Sequence, residues 1–285
     1  MDCSQRRCID RPALLSEALF AILATMLPPK PSPSYPRTAL VTGAAQRIGR
    51  AIALGLAADG YAVAIHHKQS SADAENLVTQ ITQAGGQAMS VACDLADEDQ
   101  TAGLIGHVVD RLGPLGLLVN NASLFERDEA LDTTRAGWEA HMAINLRAPF
   151  VLTQAFARQL PSNCHGNVVN LLDQRVVNLT PHFTSYTLSK SGLWTLTQTL
   201  AMALAPRIRV NGIGPGPVLP SPRQTETQFA RQYENLPLQH PVGLDEIVAG
   251  LRFILAAPSM TGQIILLDGG QHLGWCQARS EIPVE

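Results

Sequence analysis

Tyr186 and Lys190, set one helical turn apart in Tyr-Thr-Leu-Ser-Lys, carry the clearest chemical signal in the chain. If residues 184–204 form a helix, the i,i+4 spacing puts phenol and ammonium on one face. A cation there stabilises a phenolate, and so helps a phenol that alone titrates near ~10 to serve as a general acid at neutral pH. The same spacing also describes an ordinary solvated pair. Asp173 closes an apolar run, Asn167 to Leu172, that reads as a buried strand. Its carboxyl therefore falls at a strand's C-terminal edge, where open α/β sheets bind ligands.

The elements that must position these groups follow a repeated order of strand, turn and helix. Thr38–Thr42 reads as a strand, and Gly43-Ala-Ala-Gln-Arg47-Ile48-Gly49 turns into a helix reaching Ala58. Such a turn can aim backbone N–H groups at a pyrophosphate, or it can be a tight turn with no ligand. The second strand, Tyr61–Ile65, runs into His66-His67-Lys68-Gln-Ser70-Ser71, a basic and polar tip with no carboxylate. That tip favours the 2′-phosphate of NADPH over the plain ribose of NADH, although a lone loop lysine is often only solvated. A helix over Ala72–Ala84 ends at Gly85-Gly86, and a third strand, Gln87–Cys93, leads to Asp94-Leu95. Asp94 suits the adenine amino group or caps a helix that starts near Asp97. The fourth strand, Leu115–Val119, precedes Asn120-Asn121-Ala122-Ser123-Leu-Phe125, and a helix over 136–160 carries Asn145 in its middle. Read from residues alone, Asn145 is either a buried, satisfied amide or a functional one, and Phe125 either a core side chain or a ligand contact.

A sixth strand, Ile208–Ile213, enters a proline-rich loop over 214–222 that contains Pro215 and Gly216. Residues 223–236 are polar and suit a substrate lid. A helix over 244–257 and a strand over 262–268 complete the pattern. Seven strands alternating with helices predict a single-domain α/β fold, a doubly wound parallel sheet over residues 37–275.

Composition narrows the class. The chain has 285 residues, 46% hydrophobic and 16% charged, with net charge −3, which supports a sizeable core and offers no basic field for nucleic acid. Five scattered cysteines without C-x-x-C spacing favour reduced thiols in a cytoplasm, and no histidine or cysteine cluster predicts a metal. Ala13–Leu27 is too short to span a bilayer and carries Glu17. Residues 1–36 read as a flexible or partly helical extension with a polyproline-like linker, or as an upstream start; residues 276–285 read as a tail.

Taken together, Thr42-Gly43…Gly49, Asp94, Asn120-Asn121-Ala122, Asn145, Tyr186…Lys190, Pro215-Gly216 and Asp268-Gly269-Gly270 resemble the short-chain dehydrogenase/reductase family. The resemblance implies a Rossmann sheet in the order 3-2-1-4-5-6-7, a homodimer or homotetramer, and NADPH as cofactor. It places the cofactor along Gly43, Arg47, Ile48 and Gly49, then His67, Lys68 and Ser70, then Asp94 and Leu95. Asn121, Ala122, Ser123, Tyr186, Lys190, Pro215 and Gly216 complete that set. It makes Tyr186 the proton donor, has Lys190 bind the nicotinamide ribose and tune Tyr186, and has Asn145 hold a relay water. Two positions depart from most relatives: Asp173 stands where they have Ser, and Arg47 where they have Gly. Both resemble the pteridine reductase branch, which includes dihydromonapterin reductases with dihydrofolate reductase activity, as does Asn121-Ala-Ser-Leu-Phe125, whose Phe stacks on the pterin ring. By that resemblance Arg47, Ser123, Phe125, Asp173 and Tyr186 meet the substrate, Arg47 clamping cofactor phosphates or a pterin oxygen unless it only caps the turn. The implied activity is NADPH-dependent reduction of dihydropterins and of dihydrofolate. The rival readings are a carbonyl reductase acting on 3-oxoacyl thioesters and a non-catalytic NADPH-binding regulator.

Overall fold

The computed structural model describes residues 34–221 and 223–274. The expected extension as far as residue 33 and the tail over 276–285 lie outside the described residues. Ser34 already belongs to the domain, since its carbonyl accepts from His165 N at 2.8 Å.

Seven parallel strands form one sheet, as the alternating pattern predicts, in the order β3-β2-β1-β4-β5-β6-β7 that the family resemblance implies. They are β1 (Thr38–Val41), β2 (Ala62–His67), β3 (Ala88–Ala92), β4 (Leu117–Asn120), β5 (Gly166–Leu171), β6 (Ile208–Pro215) and β7 (Ile264–Leu267). The sheet is buried on both sides because side chains alternate along each strand. Ala39 and Val41 face one core with Ile52 and Leu56 of α1 (Arg47–Ala58), Leu77 of α2 (Ser71–Gln83) and Leu251 of the last helix. Leu40 faces the other core with Ile105 of α3 (Glu98–Leu112) and with Phe156 and Leu200.

The helix expected over 136–160 is a composite. Helix α4 (Arg135–Met142) passes through a π-turn at Ala143–Arg147 into α5 (Ala148–Gln159). Asn145 sits inside the wide turn, where the ladder shifts register, a distortion often found at functional sites. Helix α6 (Thr184–Leu204) begins after Phe183, whose φ of 59° is left-handed. The polar segment 223–236 holds a helix, α7 (Glu226–Glu234), started by a Thr225–Gln228 capping box, and α8 spans Leu244–Ala256. The chain order reverses between β1 and β4, so the ligand crevice of a doubly wound sheet lies outside their C-terminal ends.

Candidate active site

The phosphate side is built from backbone. Gly43 has φ +60°, and α1 starts with no side-chain cap, which leaves its first N–H groups facing the crevice. A Cβ at Gly49 would meet the Gly43 carbonyl and come within 2.6 Å of Asn121 Nδ2, so only glycine keeps the turn this tight. Thr42 Oγ1 accepts from the N–H groups of both Asn121 and Ala122 at 2.9 Å. The Asn121 amide donates to the Thr42 and Gly43 carbonyls. Asn121 therefore braces the turn with its side chain. From below, His66 accepts from Gly43 N at 3.0 Å through Nδ1 and bonds the Cys93 carbonyl at 3.1 Å through Nε2. Burial holds this imidazole neutral, with its pKa down at about 4.

At the tips of β2 and β3, Lys68 pairs with Asp94 at 2.7 Å, and that pair with its hydrogen bonds keeps the Asp94 carboxyl below its ordinary value. Asp94 caps no helix. Asp97 is the cap of α3, accepting from Asp99 N and Gln100 N, while Asp94 Oδ1 takes Ala96 N in a short turn. Ser70 precedes α2 without a capping bond, and the buried His67 Nδ1 has no hydrogen-bond partner among the described residues. The Leu95 side chain packs in the core, so what the residue offers the crevice is its backbone.

The proton side is built from side chains. Tyr186 OH donates to Asp173 Oδ2 at 2.8 Å, and both line a cleft with Arg47, Ile48, Phe125 and Gly216. Pro215 borders the same cleft. The Phe125 ring lies parallel to Phe183 at 4.7 Å and edge-on to Tyr186 at 4.7 Å. Phe125 is half-buried rather than a core residue. Asn145 is fully buried; its Nδ2 donates to Leu124 O and Ser189 Oγ, and its Oδ1 accepts from Leu124 N. It thus holds the loop that carries Ser123 and Phe125 against α6.

One expectation is corrected. Burial first, and then the Asp173 carboxylate, hold the Tyr186 phenol well above its ordinary value, with Arg175 and Ser123 pulling the other way. Lys190 shares the face as its spacing requires, but its Nζ donates to Leu171 O at 2.7 Å and lies 5.9 Å from the phenol ring. Burial brings its own pKa down to about 8. Arg47 also departs from the simple turn-capping role: at a left-handed φ of 53° it donates to the carbonyls of Pro220 and Leu219, tying the Gly-rich turn to the loop after β6.

Some contributors gave no sequence signal. Arg175 lies in the 3₁₀ turn Gln174–Val176 and lines the cleft, as do Gln224 and Gln232. Behind Tyr186, Ser185 Oγ donates to Asp128 at 2.5 Å and bonds His141 Nδ1 at 2.7 Å, a buried network that seats the start of α6. A T-x-x-Q box at 225–228 is a signal that points to α7.

A phosphate cradle at a sheet crossover beside a phenol, a carboxylate and an ammonium defines a Rossmann-type oxidoreductase. Residues 37–231 match the short chain dehydrogenase family, and the chain belongs to it. The 3-oxoacyl-(acyl-carrier-protein) reductase of Synechocystis sp. is 31% identical over 82% of this chain and 96% of its own length. FolM alternative dihydrofolate reductase 1 from Brucella canis, solved with NADP, is 48% identical over 86% of this chain and 97% of that one, with a TM-score of 0.82. A blue fluorescent protein from a metagenomic library, solved with NADPH, is 31% identical over 82% of this chain and 97% of that one, with a TM-score of 0.77.

Proposed function

We propose that the protein is an NADPH-dependent pteridine reductase that converts dihydropterins to tetrahydropterins and accepts dihydrofolate. The observation that carries this reading is the Tyr186–Asp173 hydrogen bond at 2.8 Å in a cleft flanked by Phe125. A hydroxyl at position 173 would suit a carbonyl oxygen. A carboxylate can accept from the N–H groups of a nitrogen heterocycle and relay a proton from Tyr186 to ring nitrogen.

The residues present fit the cofactor. Gly43 and Gly49 leave room for a pyrophosphate at the start of α1, and His67, Lys68 and Ser70 offer polar groups for a 2′-phosphate. Bound there, NADPH supplies the hydride. Reduction of a C=N bond also needs one proton on nitrogen; it leaves the Tyr186 hydroxyl, is relayed through the Asp173 carboxylate to the ring nitrogen, and is restored to Tyr186 from solvent. Phe125 offers a flat apolar surface for the ring, and Asn145 fixes the loop that carries it. Lys190, anchored on Leu171 O, places a cation beneath Tyr186 for a ribose hydroxyl.

Identity supports the pterin reading: the FolM structures from two Brucella species are 48% and 49% identical, against 31% for the Synechocystis oxoacyl reductase. The second reading, reduction of a 3-oxoacyl thioester, rests on the oxoacyl reductases among its relatives. The test follows NADPH loss at pH 6–8 with dihydromonapterin, dihydrobiopterin, dihydrofolate and an acetoacetyl thioester in parallel. Turnover of pterins and not of the thioester is expected, and Asp173→Ser should lower pterin kcat/KM about 100-fold. Full pterin turnover by Asp173→Ser, or turnover of the thioester alone, overturns the proposal.

A further inference from the structure

Both oxygens of the Asp173 carboxylate are held by one residue. Oδ1 accepts from Arg175 N at 2.8 Å, closing the 3₁₀ turn, and Oδ2, which takes the Tyr186 proton, lies 3.5 Å from Arg175 Nη1. The Arg175 side chain is only 9% exposed, and its guanidinium sits 5.0 Å from the Phe183 ring centre and 5.7 Å from that of Phe125. A guanidinium in such a place costs free energy unless paired, and here a carboxylate and two aromatic rings receive it.

The other ionisable groups around the phenol are differently placed. On α6, Lys190 is directed to the Leu171 carbonyl. On α4, the His141 ring stands 6.1 Å from Tyr186, and burial lowers its pKa. From the β1–α1 turn, Arg47 reaches the carbonyls of Leu219 and Pro220. From the loop before α7, Arg223 lies 5.5 Å from the Phe125 ring centre and is bonded to Glu126 and to the Phe125 carbonyl. Among the described residues, the ion pair to Asp173 comes from Arg175.

We infer that Arg175 is a positioning residue for proton delivery: it aims the Asp173 carboxylate at the Tyr186 hydroxyl and supplies the positive charge against which that hydrogen bond works. The inference deepens the proposed reaction and rests on it only for the kinetic readout. Its physical consequence has a definite sign. A cation beside the pair favours the ionised form of Tyr186, so its removal raises the pH at which the phenol loses its proton.

The experiment compares the wild-type chain with Arg175→Met, which keeps a long apolar stem, and with Arg175→Lys, which keeps the charge. The first readout needs no substrate. Tyr186 is replaced by trifluorotyrosine, whose phenol is more acidic, and its ionisation is followed by fluorine NMR in all three backgrounds. Arg175→Met should move the midpoint up by about one pH unit, and Arg175→Lys by less than half of that. The second readout is the pH profile of kcat with whichever substrate the wild type reduces. Arg175→Met should lower kcat about 30-fold and move the limb that reports Tyr186 to higher pH, with partial rescue in Arg175→Lys. NADPH affinity, read by its fluorescence, should stay within about twofold, because the phosphate cradle is not touched. An unmoved fluorine midpoint, or equal losses in the Met and Lys variants with an unchanged pH profile, overturns the inference. If the wild type reduces the thioester and no pterin while the midpoint still moves, the substrate reading fails and the role of Arg175 stands.

Discussion

At the β1–β2 end of the crevice the chain presents main chain, whereas at the β5–α6 end it presents side chains. Around Gly43 and Gly49 the available groups are helix N–H groups, held by Thr42, Asn121 and a neutral His66. Around Asp173 they are a carboxylate, a phenol, a guanidinium and an ammonium, all largely buried. Backbone amides carry no titrating charge, so the first region is insensitive to pH until the imidazole beneath it protonates. The second is a set of coupled charges, where each group alters the proton affinity of the next. Loss at the first should therefore appear as weaker cofactor binding, and loss at the second as slower turnover with an altered pH profile.

The contrast would break most visibly at Tyr186. Tyr186→Phe removes the donor to Asp173 and keeps the ring packed against Phe125. A fall in kcat of about 10³-fold is expected, with NADPH affinity within about twofold of the wild type. Unchanged turnover would instead support a protein that binds the cofactor without using it.

His66 offers the next effect. Its folded pKa of about 4 lies below the ordinary 6.5, so the unfolded chain takes up a proton first as pH falls. The stability it contributes is fully present above pH 6.5 and is lost progressively down to about pH 4, by about 3 kcal/mol from this one group. Burial of His141 acts in the same direction. Urea midpoints between pH 7 and pH 4.5 should drop for the wild type and drop less for His66→Gln. Parallel slopes for the two proteins would contradict the neutral, buried imidazole.

The smallest effect sharpens the comparison. Lys68 is 54% exposed and paired with Asp94, so Lys68→Ala removes one charge from the tip of β2 and leaves the cradle intact. The ratio of kcat/KM for NADPH over NADH should fall about tenfold, the equivalent of one charge-assisted hydrogen bond. An unchanged ratio would assign 2′-phosphate selection to His67 and Ser70.

Much of this was legible in the sequence because periodicity enforces it. Runs such as Asn167–Leu172 have to be buried strands, and the four-residue step from Tyr186 to Lys190 has to share a face. Direction was not legible: the same face leaves the ammonium free to reach Leu171 O instead of the phenol oxygen. Asp94 and Asp97 are both competent caps; Asp97 caps α3, while Asp94 closes a short turn on Ala96 N and pairs with Lys68, which the folded sheet brings to it. The π-turn around Asn145 has no local signature, since its stretch is made of ordinary helix-compatible residues and the amide is drawn to Leu124 and Ser189 by tertiary contacts. Arg175 stands two residues beyond Asp173 in no recurring pattern, and its importance comes from where the 3₁₀ turn aims it.

Arg47 occupies a left-handed backbone geometry that a side chain resists by about 1 kcal/mol or more. Glycine there would relieve that strain, but it would enlarge the freedom of the unfolded chain and unhook the turn from the carbonyls of Leu219 and Pro220. Melting temperature is therefore a poor guide to this arginine, and variants at the position should be checked for a slackened grip on small molecules.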